Sequence, residues 1–264
     1  MSRRKEFARQ TVEIVEAGHY YAGRQRVEIG AALKAAVEGT RLYEPDGFSE
    51  VIGPEAFETV IEVTNESTIE AAARLTKQNT VALNFASAKN PGGGFLRGAH
   101  AQEEALARAS GLYATLLEGR AYYEFHRTQG DLLYSDHMIY SPRVPVFRDD
   151  DGNLLETPYE MSFITSAAPN LGAIRDAELA AKVPGALAQR ARKVLALAHE
   201  RAHTTLILGA WGCGVFRNDP VEVAETFRDL LTGPYKNRFE QVTFAVWDPQ
   251  KTTKQFEAFV RTFG

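Results

Sequence analysis

Residues 83–112, LNFASAKNPGGGFLRGAHAQEEALARASGL, hold the transition from which the rest of the chain can be read. The apolar run Val81-Ala82-Leu83-Asn84-Phe85-Ala86 reads as a buried strand. Three consecutive glycines follow, and seven residues after them Gln102-Glu103-Glu104 open an amphipathic helix. Glycine loses more backbone entropy on folding than any other residue. Gly92, Gly93 and Gly94 therefore belong where the chain must take positive φ or let a ligand lie against its backbone. A strand, a glycine loop and a helix start together form a place where main-chain N–H groups can hold a phosphate-bearing ligand. Glu103 and Glu104 taken alone have a simpler explanation, because acidic residues in a first helical turn complement the dipole and satisfy free N–H groups.

Immediately upstream, Thr59 to Thr64 alternates apolar and polar residues as a strand does. Asn65-Glu66-Ser67-Thr68 supplies a helix cap, with Glu70 placed to complete a capping box on Ser67. The helix Thr68 to Leu75 then leads into the apolar run. This strand, helix, strand order predicts two parallel neighbours joined by a right-handed crossover. Ligands of open α/β sheets collect beyond the carboxyl ends of strands, which is where Asn84 to Gly94 falls. Nearer the N-terminus, Arg3 to Ala17 reads as a short helix stopped by Gly18, His19 to Gly30 as two short strands around Gly23, and Ala31 to Val37 as a helix ending at Gly39.

Downstream, Tyr122 to Gly130 is helical. Ile139 to Phe147 is strand-like, but Pro142 and Pro145 confine it to an edge or an irregular strand. Asp149 to Asn153 is a turn; as a calcium loop counted from Asp149 it has Glu160 in the twelfth place but Leu154 where the sixth requires glycine. Met161 to Ala167 is a buried strand. A long helix is expected from Asp176 to Ala202, carrying His199 and interrupted at Pro184-Gly185, with Val194, Leu195, Leu197 and Ala198 on its buried face. His203 is assigned to the same helix. Thr204 to Gly209 is a short apolar strand, Asp219-Pro220 an N-cap and first helical position, Gln241 to Trp247 the last strand and Gln255 to Phe263 the last helix.

Between the strand ending at Gly209 and the helix beginning at Asp219 lies a second glycine loop, AWGCGVFRN (210–218). A tight strand-to-helix turn would explain its glycines. The same geometry, though, offers convergent N–H groups to an anion. Cys213 within it reads as a small buried thiol and not as a nucleophile, because no histidine stands in a motif that would pair with it. His100, two residues before Gln102, can reach the glycine loop. The histidines and carboxylates are not spaced as zinc ligands, so no metal and no cofactor is expected.

The composition narrows the possible partners. The chain has 264 residues, 44% apolar and 24% charged, enough for one large α/β core. A single cysteine permits no internal disulfide, and no run of apolar residues is long enough to span a bilayer; a cytoplasmic location and no membrane partner are expected. The net charge of −4 argues against a broad nucleic-acid surface, so no direct DNA binding is expected and phosphate recognition should be local, through a few main-chain donors.

The string GGG, seven residues and QEE, within NFASAKNPGGGF and followed later by GAWGCGVFRND, resembles the signature of bacterial-type poly(ADP-ribose) glycohydrolases of the macrodomain family. The resemblance runs from about Thr59 to the C-terminus. It implies an α/β fold, a three-layer α/β/α sandwich with a mixed, largely parallel central sheet, and an N-terminal extension (1–55) that caps a single catalytic domain. It implies hydrolysis of ribose–ribose O-glycosidic bonds in poly(ADP-ribose), with ADP-ribose and ADP-ribosylated proteins as partners, and a monomer. By the same resemblance Glu104 is the catalytic acid and base and Glu103 orients the sugar. Asn84, Ala86, Asn90, Gly92, Gly93, Gly94 and Gln102 line the substrate site. Gly212, Cys213, Gly214 and Val215 follow the diphosphate, and Phe216 fixes the terminal ribose. Thr64 and Asn65 are candidates for adenine contact. A helix N-terminus favours an ionised carboxylate while a general acid needs its proton, so the ligand and the like charge of Glu103 are expected to push Glu104 the other way. Two other functions fit the glycine loops: hydrolysis of mono-ADP-ribosyl links, and ADP-ribose binding without catalysis, for which paired glutamates would be superfluous. A P-loop is excluded because no Lys-Ser/Thr follows the glycines.

Overall fold

The computed structural model describes residues 2–47, 53–75, 79–248 and 254–264. The chain begins with helix α1 (Arg3–Ala17), ended by Gly18 in the left-handed conformation, as its position after the last periodic residue predicts. Strands β1 (His19–Ala22) and β2 (Gln25–Glu28) make a separate antiparallel hairpin, followed by α2 (Gly30–Gly39) and β3 (Arg41–Tyr43). Next come β4 (Val60–Thr64), α3 (Thr68–Leu75) and β5 (Thr80–Phe85). The capping box at α3 forms as expected: Ser67 Oγ accepts from the Glu70 N–H and Glu70 Oε2 from the Ser67 N–H, at 3.0 and 2.8 Å.

A 3-10 turn (Phe95–Arg97) precedes α4 (Gln102–Ala109), α5 (Leu112–Glu118) and α6 (Arg120–Gln129). Two long strands, β6 (Met138–Arg148) and β7 (Leu154–Ser166), form a hairpin. The chain continues through α7 (Ala177–Ala180), α8 (Val183–Glu200), β8 (Thr205–Leu208), α9 (Pro220–Thr232), β9 (Gln241–Ala245) and α10 (Lys254–Phe263).

Seven strands form one sheet in the order β3-β6-β7-β5-β8-β9-β4. The β3–β6 and β6–β7 pairs are antiparallel and the other four are parallel, so the sheet is mixed and mostly parallel. Alternating side chains feed two cores. Val81, Leu83, Leu206, Leu208, Val242 and Phe244 pack towards α8, α9 and α10. Ala82, Phe163, Ile207 and Ala245 pack towards α3 to α6. With helices on both faces, the result is a three-layer α/β/α arrangement.

Four expectations are corrected. β4 and β5 are parallel but are not neighbours, because β8 and β9 lie between them and β4 is the far edge. The expected helix from Asp176 is two helices: Asp176 caps the short α7, and Pro184 stands in the first turn of α8, where its missing N–H costs nothing. The strand expected from Met161 begins at Leu154. His203 lies beyond the end of α8, in the turn before β8, with Nε2 at 2.9 Å from the Tyr140 hydroxyl. The prolines of β6 act as anticipated: β3 pairs only with Met138 to Tyr140, and the register with β7 shifts between Ser141 and Val144.

Candidate active site

Beyond the carboxyl ends of β5, β8 and β9 lies a cleft of about 910 Å³. The first glycine loop forms one wall. Gly92 and Gly93 take φ of 65° and 60°, and Gly93 N–H closes the turn on Asn90 C=O at 2.9 Å. A Cβ at Gly93 would fall 2.3 Å from Glu104 Oε1 and 3.1 Å from Glu103 Oε2, so this backbone lies directly on both carboxyl groups. Gly92 faces away, against Phe95 and Ala107, and supports the loop from beneath.

Glu104, half-buried, faces the cleft. Its Oε1 accepts from the Gly94 N–H at 2.9 Å and its Oε2 from the Ala101 N–H at 2.8 Å. The second bond is half of a capping box; Ala101 has no side-chain oxygen to return it. Glu104 therefore satisfies the helix start and also ties the glycine loop to α4.

Glu103 is 3% exposed. Its Oε2 accepts from the Ser87 N–H at 2.7 Å, and its Oε1 lies 3.4 Å from the Asn84 amide, which also donates to Thr165 Oγ1 at 3.2 Å. Burial pushes the Glu103 carboxyl up to about 8; the Ser87 N–H opposes this and the charge of Glu104 adds to it. Removal from water is what drives Glu103 toward its neutral form.

Gln102 completes the sheet. Its Oε1 accepts from the Phe85 N–H at 2.9 Å and its Nε2 donates to Leu83 C=O at 2.8 Å, replacing a neighbouring strand where β8 stops pairing with β5 after Ala82. Its amide is thus committed to the fold, although the residue still borders the cleft. Asn84 stands behind Glu103, fully buried and outside the cleft lining.

The second glycine loop forms the opposite wall. Gly212 has φ 74°, and a Cβ there would meet Asn218 Nδ2 at 2.3 Å and Ala168 Cβ at 2.6 Å. Gly214 has nothing within 4 Å of such a Cβ. The N–H groups of Gly212, Gly214, Val215 and Phe216 donate to no acceptor among the described residues. Val215 is 81% exposed, so this run of idle donors borders open space. Phe216 leans on Tyr134, ring centroids 5.9 Å apart, and its C=O accepts from the Gly172 N–H at 2.8 Å. Burial pushes the Cys213 thiol up to about 12, which makes it a packing group.

Ala86, Asn90, Gly93, Gly94, Gln102 to Glu104 and Gly212 to Phe216 all border the cleft. Thr64 and Asn65 do not. The Asn65 amide is used on the backbone of Asp248, donating to its C=O and accepting from its N–H, both at 2.7 Å, which joins the ends of β4 and β9. Sequence reading missed Ser87, Arg97 and Trp247, which also border the cleft. Trp247, 60% exposed just past the buried strand β9, had a usable signal: a large aromatic beyond the carboxyl end of a core strand.

A family model described as the catalytic domain of microbial-type PARG matches residues 8–149, just over half of the chain. The match contains the first glycine loop and both glutamates. Among solved structures, poly(ADP-ribose) glycohydrolase from Thermomonospora curvata is 51% identical with a TM-score of 0.94, covering 98% of this chain and 99% of its own. The same enzyme bound to the inhibitor ADP-HPD is 52% identical with a TM-score of 0.93 over the same shares. Poly(ADP-ribose) glycohydrolase from Deinococcus radiodurans in complex with ADP-ribose is 47% identical with a TM-score of 0.81, covering 87% of this chain and 96% of its own. Among curated proteins, none matches.

Proposed function

The chain belongs to the microbial-type poly(ADP-ribose) glycohydrolase family, and from that premise we propose that it hydrolyses ribose–ribose O-glycosidic bonds of poly(ADP-ribose) and releases ADP-ribose, with Glu104 as the acid and base. Glycoside cleavage through an oxocarbenium-like transition state needs a proton for the leaving oxygen and a base for the attacking water. Glu104 serves both steps in turn: it gives its proton to the leaving oxygen, then takes one from water. The observation that carries this reading is the placement of its carboxyl group in the cleft wall, fixed by the N–H groups of Gly94 and Ala101.

The diphosphate lies along the idle N–H groups of Gly212, Gly214, Val215 and Phe216. That loop suits an anion without a basic surface, as a chain of net charge −4 requires. Phe216 holds the terminal ribose over the glutamates. Glu103 hydrogen-bonds ribose hydroxyls and orients the sugar. Gly93 admits the sugar to both carboxyls. No cofactor takes part.

Residues 1–55 act as an integral cap of one macrodomain-like catalytic domain. In support, α1 packs on the 3-10 turn and on α4, and β3 joins the central sheet; residue 1 and residues 48–52 lie outside the described residues. The protein works as a cytoplasmic monomer on ADP-ribosylated proteins and does not bind DNA directly. No helix among the described residues is long and apolar enough to cross a membrane.

Purified polymer and singly ADP-ribosylated protein offered side by side test the reaction. Release of ADP-ribose from polymer, with the protein-linked unit left in place, is the expected result. Release only from the singly modified protein would make the chain a mono-ADP-ribosyl hydrolase, and binding without release an ADP-ribose reader.

A further inference from the structure

A second cavity, of about 520 Å³, adjoins the cleft and shares Ile69, His100, Ala105, Asp150 and Asp151 with it. Arg3 and Arg4 from the first turn of α1, Arg108 from α4 and Arg148 from the end of β6 all border it. Arg148 is 2% exposed. One of its N–H groups donates to Gly152 C=O at 2.8 Å, and Nε and Nη2 find no acceptor. The guanidinium groups of Arg3 and Arg148 both lie over the Phe7 ring, at 5.1 and 4.9 Å from its centroid. Arg4 makes no ion pair among the described residues.

Three carboxylates, Asp149, Asp150 and Asp151, border the same cavity, and the first two are held within the protein. Asp149 accepts from the Asn153 N–H and side-chain amide at 2.7 and 3.0 Å, and Asp150 from the Ser67 hydroxyl. Buried guanidinium donors are rarely left without acceptors, because desolvating the charge is costly unless an anion compensates. Arg148 borders this empty space with Nε and Nη2 buried behind its wall and unpaired, and Arg3, Arg4 and the α1 N-terminus face it; all of these favour an anion.

Resting on the reading of the main cleft given above, we infer that this second cavity takes the diphosphate of the ADP-ribose unit on the leaving side of the scissile bond. His100 and Ala105, which flank Glu104 in sequence, face both cavities, so a polymer strand crossing Glu104 passes from one into the other. Each ADP-ribose unit carries one diphosphate. The first cleft holds that of the terminal unit on main-chain donors, and the second holds that of the next unit on arginines. Part of the N-terminal cap thereby becomes part of the substrate site.

Two substrates separate this inference from the reading it rests on: an ADP-ribose dimer, and a terminal ADP-ribose joined to plain adenosine, which lacks the leaving-side diphosphate. The wild-type protein should cleave the dimer with kcat/KM roughly tenfold higher, the effect of one charge-assisted contact. Arg148→Met and Arg4→Ala should each reduce dimer cleavage to near the level of the adenosine substrate while leaving cleavage of the latter unchanged. Arg4 is exposed, so its variant keeps the test intact if Arg148→Met does not fold. Equal cleavage of both substrates, unaltered by Arg4→Ala, overturns the second site and leaves the first standing. Cleavage of neither overturns both.

Discussion

Replacing Glu103 by glutamine keeps an acceptor for the Ser87 N–H and removes a proton-binding group whose carboxyl burial has lifted from 4.5 to about 8. Between those values the folded protein binds more protons at this position than the unfolded chain, so the wild-type unfolding free energy falls as pH rises through that window and levels off above it. At about 1.4 kcal/mol per pH unit the whole displacement corresponds to roughly 5 kcal/mol. Glu103→Gln does not titrate there. The two proteins should have similar stability near pH 5, and at pH 9 the variant should be the more stable by about 5 kcal/mol, or about 10–20 °C in melting temperature for a domain of this size. Thermal melts across this range read the difference directly. Parallel pH profiles for the two proteins would refute the claim that Glu103 is buried as a neutral acid.

Gly93→Ala places a methyl group against Glu104 Oε1 at a position with φ 60°, and Gly94 N–H holds that oxygen in place. It should cost about 1 kcal/mol or more of stability and at least about tenfold in turnover, seen in denaturant melts and polymer assays. Gly214→Ala meets no protein atom within 4 Å, so melting should shift by less than about 0.5 kcal/mol while ADP-ribose binding, followed by calorimetry, weakens. Equal binding by this variant would remove the second loop from the diphosphate. Phe216→Ala, at a partly buried ring on the cleft wall, should reduce turnover more than thermal stability; an unchanged rate would take the ring out of ribose positioning.

Much of this site could be read from local chain chemistry. Gly92 and Gly93 do take positive φ, and Ser67 and Asp219 cap their helices where side-chain type and spacing place them. What sequence left hidden depends on residues far apart in the chain. β4 and β5 looked like neighbours because one helix joins them, but β8 and β9, more than a hundred residues later, insert between them. Resemblance puts Gln102 at the substrate site, and only the early end of β8 pairing shows why its amide is needed at Leu83 and Phe85. The burial that protonates Glu103 requires Asn84, Ser87, Tyr122 and Tyr123 to converge from separate elements. The arginines of the second cavity come from α1, α4 and β6, too scattered to form a motif.

The proposed hydrolysis rests most directly on Glu104, whose carboxyl meets the glycine loop at Gly94 and faces the cleft. ADP-ribose titrated into Glu104→Gln should bind within a few-fold of wild type, while release of ADP-ribose from purified polymer should fall at least about a hundredfold, the contribution of a positioned acid and base. Polymer degraded by that variant at the wild-type rate would contradict the assignment.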